Sequence, residues 1–565
     1  MKPQILRRKS SEIQKTIRDP ILLISIIAIL GFLLVFIVYP IVKVLVGSFI
    51  DDETGRFTIG HLIDVLSRTE NQGVLKNTLV LGLLAGLLST GLAFLFAYGD
   101  VFVNIRNKKL FKLVSILPII SPPFALAMSF IMLFGQRGLV THRLLGMQNA
   151  NIYGFKGLLI VQILAFFPTA YLLLLGVLQQ IDPSIDEASR NLGASRWQVF
   201  KTVVFPLCKP GLINAFLLVF IQSVADFGNV MVIGGNYNTL AAQVYMQSMG
   251  NYDIKTGTAL ASVLLSISIL MFVIQNYWLG DKSYVTVTGK PSRERALIDD
   301  KKIKYSIEFV CSIISIFILL LYVLIPLGSL VRVWGVDNSI TLDHYRYIYK
   351  MGSKFIVDTT KMALISTPIT GLLAMVISFL IVRKEFIGRK SMEFISLLAM
   401  AIPGTVIGMG YIIAFNKYPI MLTGTMTIII LTFVTRNMPM GIRSGIVSLK
   451  QIDPAIEEAA QDLGANSLKV FTSVTLPLIK SAFFNGLVFS FVKSMTATSA
   501  VIFLVSARHN LLTIEIMSQV DTGRLGVASG YSTILILIVL VFVAITRYLI
   551  GKMDYRGKNL DSIGG

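Results

Sequence analysis

Residues 181–220 read IDPSIDEASRNLGASRWQVFKTVVFPLCKPGLINAFLLVF, and residues 452–491 read IDPAIEEAAQDLGANSLKVFTSVTLPLIKSAFFNGLVFSF. The stretches align without a gap at an offset of 271 residues, and seventeen of the forty positions are identical. Unrelated apolar segments do not share Asp-Pro, Glu-Ala, Leu-Gly-Ala, Val-Phe and Pro-Leu in register. Self-similarity at a fixed offset marks an internal repeat, so the chain reads as two homologous halves.

Each copy predicts helix, turn, helix. Asp182 suits an N-cap, and Pro183 suits the first helical position, where its missing N–H costs nothing. Asp186 and Glu187 put negative charge in the first turn, which the helix dipole favours. Gly193 supplies a left-handed stop. Ser195 and Gln198 fit a capping box for the second helix, which Pro206 is expected to end or bend. Asp453, Pro454, Glu457, Glu458, Gly464 and Pro477 stand in the same places in the second copy. There Asn466 is the cap, with no Glu or Gln at the box position.

The surrounding chain is apolar. Of 565 residues, 54% are hydrophobic and 15% charged, against about 25% charged in soluble domains. Many runs reach the ~20 residues that carry a helix across ~30 Å of hydrocarbon. The expected fold is an all-α polytopic membrane protein with about twelve transmembrane helices in two parallel six-helix halves. Spans are expected near 20–49, 77–99, 111–134, 156–178, 211–233 and 257–280. The second half gives 305–331, 358–382, 392–415, 422–447, 481–505 and 526–550. An even number per half makes the repeats parallel. Asn77-Thr78 and Asp358-Thr359 open corresponding spans, and Pro122 and Pro403 break the next ones, all at an offset of 281 residues. The expected segments are an N-terminal stretch 1–19, a first half 20–280 with its repeat loop at 179–210, and a linker 281–304. A second half 305–550 with its loop at 448–480 and a tail 551–565 follow.

The net charge of +20 follows membrane topology rather than a nucleic-acid partner. With the N-terminus inside, the cytoplasmic segments hold 32 Lys and Arg and the external ones 14, as the positive-inside rule requires. Five more, Lys43, Lys361, Arg436, Arg443 and Lys493, fall at or within span ends. Both termini and both repeat loops are then cytoplasmic. The apolar run from Pro20 is too long for a signal-peptide core and lacks a small-residue cleavage site, so it reads as a retained span.

No nucleotide-binding G-x-x-x-x-G-K-[ST] is present; Gly289-Lys290 and Gly551-Lys552 lack the rest. His61, His142, His344 and His509 are scattered through expected external loops. Cys208 and Cys311, 103 residues apart, form no metal spacing and read as small buried hydrophobes. No cofactor, metal site or catalytic residue is expected, and the energy for any transport must come from elsewhere.

Glu-Ala-(Ser/Ala)-x-x-Leu-Gly-Ala, with a Pro twelve residues past its last Ala, resembles the cytoplasmic EAA loop of ABC importer permeases. The resemblance implies a bacterial cell (inner) membrane protein that works with two copies of an ABC ATPase and an extracytoplasmic substrate-binding protein. It implies that Glu187, Ala188 and Gly193, with Glu458, Ala459 and Gly464, form the ATPase-coupling sites. The Glu would meet basic residues of the ATPase and the Gly would allow the turn. Rigid-body motion of the halves would then give alternating access. The plainer reading of the Glu pair is a helix N-terminal charge worth ~0.3–1 kcal/mol.

Asp226 lies inside an apolar run, and an intramembrane carboxylate is a functional candidate by default. Asp226 and Asn229, with Thr498 and Ser499 in the other half, are the candidate pathway residues, although small and hydroxyl residues also simply let helices pack closely. Ala225-Asp226-Phe227-Gly228 and Met495-Thr496-Ala497-x-Ser499-Ala500-Val501-Ile502-Phe503-Leu504 resemble the fused permeases of ferric iron importers, whose relatives carry thiamine, polyamines, phosphonates or phosphorylated sugars. Ferric iron is the expected substrate. An ion-coupled secondary transporter is the other class considered. It would need coupling-ion ligands near the midplane and gives no reason to keep two EAA loops.

Overall fold

A computed structural model describes residues 19–50, 56–278 and 297–561. The basic N-terminal stretch, most of the linker and the end of the tail lie outside the described residues. The helices of the first half are α1 (Pro20–Gly47), α2 (Thr69–Phe102), α3 (Lys108–Ile120), α4 (Ala125–Phe134), α5 (Phe155–Gln179), α6 (Pro183–Asn191), α7 (Arg196–Val224), α8 (Gly228–Ile233) and α9 (Ile254–Asn276). The second half contributes α10 (Lys301–Leu330), α11 (Ser353–Arg383), α12 (Arg389–Leu398), α13 (Gly404–Phe415), α14 (Met426–Lys450) and α15 (Pro454–Asp462). It ends with α16 (Ser467–Leu478), α17 (Lys480–Met495), α18 (Leu512–Asp521) and α19 (Leu525–Asp561). Short helical turns and two small antiparallel hairpins, Val331–Val333 with Asp337–Ile340 and Asn416–Lys417 with Ile420–Met421, join them.

Most of the expected spans coincide with helices, but those expected at 111–134, 211–233 and 481–505 are interrupted, the last being non-helical from Thr496 apart from one short turn, and residues 279 and 280 of the span expected at 257–280 lie outside the described residues. Among the described residues, eight helices are long and apolar enough to cross a membrane, or ten when two bent pairs each count once. One pair is α3 with the helix from Ala125, bent by 107°; the other is α16 with α17, bent by 80°. The stretch expected at 392–415 is split at Pro403 into α12 and α13, and that expected at 422–447 is α14, which carries Arg436, Arg443 and Lys450. Pro206 does not end its helix. A π turn over Phe200–Val204 precedes it, opening the hydrogen-bond ladder where the proline ring would otherwise meet a carbonyl, and α7 continues to Val224.

The halves are built alike. In the first, α2, α5 and α7 pack on one another; in the second, their counterparts α11, α14 and α17 do the same. Glycine permits the close approaches. A Cβ at Gly86 would lie 2.8 Å from Phe216, and one at Gly371 would lie 2.5 Å from Leu487. Small residues serve this purpose between helices in lipid, where packing rather than water exclusion drives association.

The compact units cut across the halves. One unit is Thr58–Met351 with Ile516–Thr533; the other is Met1–Phe57, Gly352–Glu515 and Ile534–Gly565. In the first unit α10, the opening helix of the second half, packs on α2, α3 and α4. The hydroxyls of its Tyr322 and of Ser121 are 2.6 Å apart. In the second unit α1, the opening helix of the first half, packs on α13, and Tyr411 there donates to the Phe36 carbonyl at 2.8 Å. Since α4 and α13 are counterparts, each half lends its first helix to the other's core at an equivalent place.

Candidate functional site

The duplicated loops share their opening cap and their stop. The Asp182 carboxylate accepts the Ser184 N–H at 2.9 Å, and the Asp453 carboxylate accepts that of Ala455 at 3.0 Å. Each cap satisfies a donor that the first helical turn leaves free. Gly193 has φ +88° and Gly464 has φ +86°, a region that disfavours any residue with a Cβ. Around them, Gly193 N–H donates to the Arg190 carbonyl and Ala194 N–H to that of Ser189. Gly464 donates to Gln461 and Ala465 to Ala460 in the same way. This paired bonding is the Schellman stop. The second helix then opens on the Ser195–Gln198 capping box in the first copy and on Asn466, accepting the Lys469 N–H at 2.9 Å, in the second.

The turn presents apolar side chains to the outside. Leu192 is 89% and Leu463 90% exposed, with Trp197 at 69% and Leu468 at 51%. These are aligned positions in the two copies. Glu458, Ala188, Ala459 and both turn glycines are exposed with them, while Glu187 is half-buried. Sequence reasoning singled out the acidic and glycine positions and passed over these apolar ones. Their signal was a bulky side chain kept at the same place beside the glycine in both copies. Exposed large hydrophobics, grouped on an otherwise polar element, mark interaction surfaces.

The second loop is also tied down from behind. Glu457 is buried, and its carboxylate lies 3.1 Å from Nε of Arg383, the last residue of α11. Thr475 donates to the other carboxylate oxygen at 3.0 Å. The Arg383 guanidinium also donates to the carbonyls of Leu449 and Ile452 at 2.9 and 2.8 Å. The aligned residues of the first half are Asp186 and Phe102, which cannot make this pair.

Two pairs of helix breaks form the second feature. α7 ends at Val224 and α17 at Met495, 271 residues apart, and the chain then runs non-helically through 225–227 and 496–498. The breaks at Pro122 and Pro403 meet them. Gly228 sits against Phe124, where a Cβ would be 3.3 Å from its ring, and Gly404 sits against Ser499, whose hydroxyl leaves no room for a Cβ. Asp226 lies buried at the first of these junctions. It accepts from Gln162 Nε2 at 2.8 Å, from Asn229 Nδ2 at 3.0 Å and from the Asn229 N–H at 3.3 Å. Ser223 donates in turn to Gln162 at 2.5 Å. Asp226 and Asn229 are thus brought together in one network. Thr498 and Ser499 lie at the equivalent junction of the other unit, Thr498 buried and Ser499 half-buried.

Comparison with known proteins decides what these duplicated features belong to. Residues 80–279 and 366–555 each match the family described as "Binding-protein-dependent transport system inner membrane component". The chain belongs to that family. It is 38% identical over 539 residues to the ferric transport system permease protein of Actinobacillus pleuropneumoniae, covering 94% of this chain and 78% of that one. It is also 38% identical over 499 residues to a putative ferric transport system permease protein of Haemophilus influenzae, covering 86% and 79%. A second Haemophilus influenzae relative, an Fe(3+)-transport system permease protein, is 24% identical over 501 residues, covering 87% and 92%. The protein is a fused two-domain, multi-pass permease of an ABC importer.

The permease carries cations within its second half that sequence reasoning counted only as span-end charges. Arg436 is near the middle of α14 and Lys493 is on α17, and these helices pack on each other in one unit. A bond from Asn437 Nδ2 to Ser494 Oγ at 3.0 Å ties the helices at the residues next to both. Arg436 Nη1 donates to the Ile402 carbonyl at 3.2 Å, at the Pro403 break. Among the described residues, neither cation is paired with a carboxylate.

Proposed function

We propose that this permease imports ferric iron, delivered by an external binding protein and driven by two copies of a cytoplasmic ATPase seated on α6 and α15. The observation that carries the iron reading is the 38% identity to a ferric transport permease along 94% of the chain. The coupling reading rests on the loop built twice with the same opening Asp cap, the same Schellman stop and the same exposed leucine. Two ATPase copies follow from two such loops. Glu187, half-buried, and Glu458, exposed, one position past the first-turn acids Asp186 and Glu457, would meet basic groups of the ATPase, and Ala188, Ala459, Gly193 and Gly464 shape the docking surface. The positive-inside count supports putting these loops, and both termini, on the ATPase side. Reaction at a nucleotide belongs to the partner chain.

The path is proposed to run past the paired helix breaks. Non-helical backbone at membrane depth is tolerated only where protein or a water-filled cavity surrounds it, and interrupted segments at corresponding places of two halves point to the transported substrate. Asp226, Asn229, Thr498 and Ser499 stand at these junctions. The test is uptake in cells that depend on this system. Replacing both Glu187 and Glu458 with Arg should abolish iron uptake and release the ATPase while the protein still inserts. Normal iron uptake by that variant would reject the coupling assignment. Unchanged iron uptake in a deletion strain, with loss of thiamine or spermidine uptake, would reject iron and leave the importer standing.

A further inference from the structure

We propose that Arg436 and Lys493 form an oxyanion-binding site at the Pro403 break, so that the cargo crosses the second half as an anion or as an anionic complex. This rests on the importer reading and extends the iron reading, since ferric iron alone is a cation that two fixed positive charges would repel.

A cation held at membrane depth is expensive, and where it occurs it is paired with a carboxylate, with backbone carbonyls or with what passes by. The first half has a buried carboxylate, Asp226, but gives it three donors. The second half has two cations and no carboxylate beside them among the described residues. Arg436 uses one of its five N–H donors on the Ile402 carbonyl, which a break leaves without its helical partner. Its remaining donors are a planar fork that matches an oxyanion. Lys493 has no hydrogen bond of its own among the described residues; its ammonium lies 5.8 Å from the centre of the Phe489 ring. Lys493 is exposed and Arg436 half-buried, and the Asn437–Ser494 bond between the residues next to them holds both charges on one stretch of the α14–α17 contact. Arg443 lies seven residues beyond Arg436 on α14, on the same helix face, and is exposed. The first half has Ala165 and Gln222 at the positions aligned with Arg436 and Lys493, so the field is confined to one half. A structural explanation covers only part of this: capping Ile402 accounts for Arg436 and leaves Lys493 without a task.

The test uses the full transporter, with its ATPase and binding protein, in proteoliposomes with ATP on the ATPase side. The probes are 55Fe(III) alone, 55Fe(III) with 32P-labelled inorganic phosphate, and a 32P-labelled phosphate monoester alone. Arg436→Gln and Lys493→Gln should each lower transport of 32P by about tenfold or more, the range for losing a charge-assisted hydrogen bond. Arg436→Lys and Lys493→Arg should retain most of it. Co-transport of 55Fe and 32P with that dependence supports an anionic iron complex. Transport of the monoester without iron, with the same dependence, supports the site and rejects the iron reading. Lys493→Gln keeps the decision clean if Arg436→Gln misfolds, because Lys493 makes no bond that the fold needs. The proposal is overturned if no oxyanion enters with the wild-type protein, if 55Fe alone enters as fast as with phosphate, or if Lys493→Gln transports 32P at the wild-type rate.

Discussion

Removing the Arg383 side chain would leave Glu457 as a buried carboxylate with Thr475 as its remaining donor. Breaking such a pair from one side costs about 3–5 kcal/mol, whereas replacing both partners with apolar residues is often close to neutral. Arg383→Leu should therefore lower the melting temperature of the purified permease clearly, and Arg383→Leu with Glu457→Leu should recover most of the loss. If the single and double variants melt alike, the pair is not what holds the second loop. Asp186→Ala in the first half, where no arginine waits, should change stability by less than about 1 kcal/mol. Asp226 invites a second comparison. Asp226→Asn keeps an oxygen that can accept from Gln162 and Asn229, so the network should survive with modest loss. Asp226→Leu strands those donors, at about 1–3 kcal/mol for each buried group left unsatisfied, and should lower expression. Loss of uptake by the Asn variant at normal expression would instead make the charge itself matter to passage. The sequence showed that Asp226 was unusual, with Asn229 close by; it did not show the Gln162 donor, which lies on a helix 64 residues earlier.

At the level of the element, α6 and α15 were legible almost completely. Their caps, their charge and their stop are all local chemistry, written within about a dozen residues, and such signals survive whatever the tertiary context. What could not be read was which side of the turn faces out, since an exposed leucine and a buried one look the same in a list of residues. Leu192 and Leu463 are the decisive case. Replacing both with Ser removes apolar surface that is already in water, so the isolated permease should fold and melt as before. If that surface docks the ATPase, association should fall by about tenfold or more, as for a central interface side chain. Unchanged ATPase retention on an affinity column, with unchanged transport, would show that the leucines face something else. The turn itself can be tested independently. Gly193→Ala and Gly464→Ala force a Cβ into a left-handed conformation at roughly 1–2 kcal/mol each, and should weaken association through the shape of the loop without touching its exposed side chains.

At the level of the whole molecule, the reciprocal exchange of α1 and α10 was not legible. Apart from Lys43 in α1 and the charged opening Lys301–Glu308 of α10, both are apolar all round, and a helix without a polar face does not say which neighbour it will meet. The repeat offsets fix which helices are counterparts, not which pack together. Sidedness, by contrast, is an expectation from charge that can be checked with two cysteines. Asn149 precedes α5 and Asn191 follows it, and both are exposed. α5 is a single apolar helix of 25 residues, long enough to cross once. The two positions must then lie on opposite sides of the bilayer, whatever the rest of the topology. The count of 32 inside against 14 outside assigns Asn149 to the exterior. In a protein whose buried Cys208 and Cys311 have been replaced, a cysteine at position 149 should react with an impermeant thiol reagent in intact cells. One at position 191 should react only after the membrane is opened. The reverse pattern would turn the molecule over and put the duplicated loops out of an ATPase's reach. Reaction at both positions in intact cells would mean that α5 does not cross, and the twelve-span layout would fail with it.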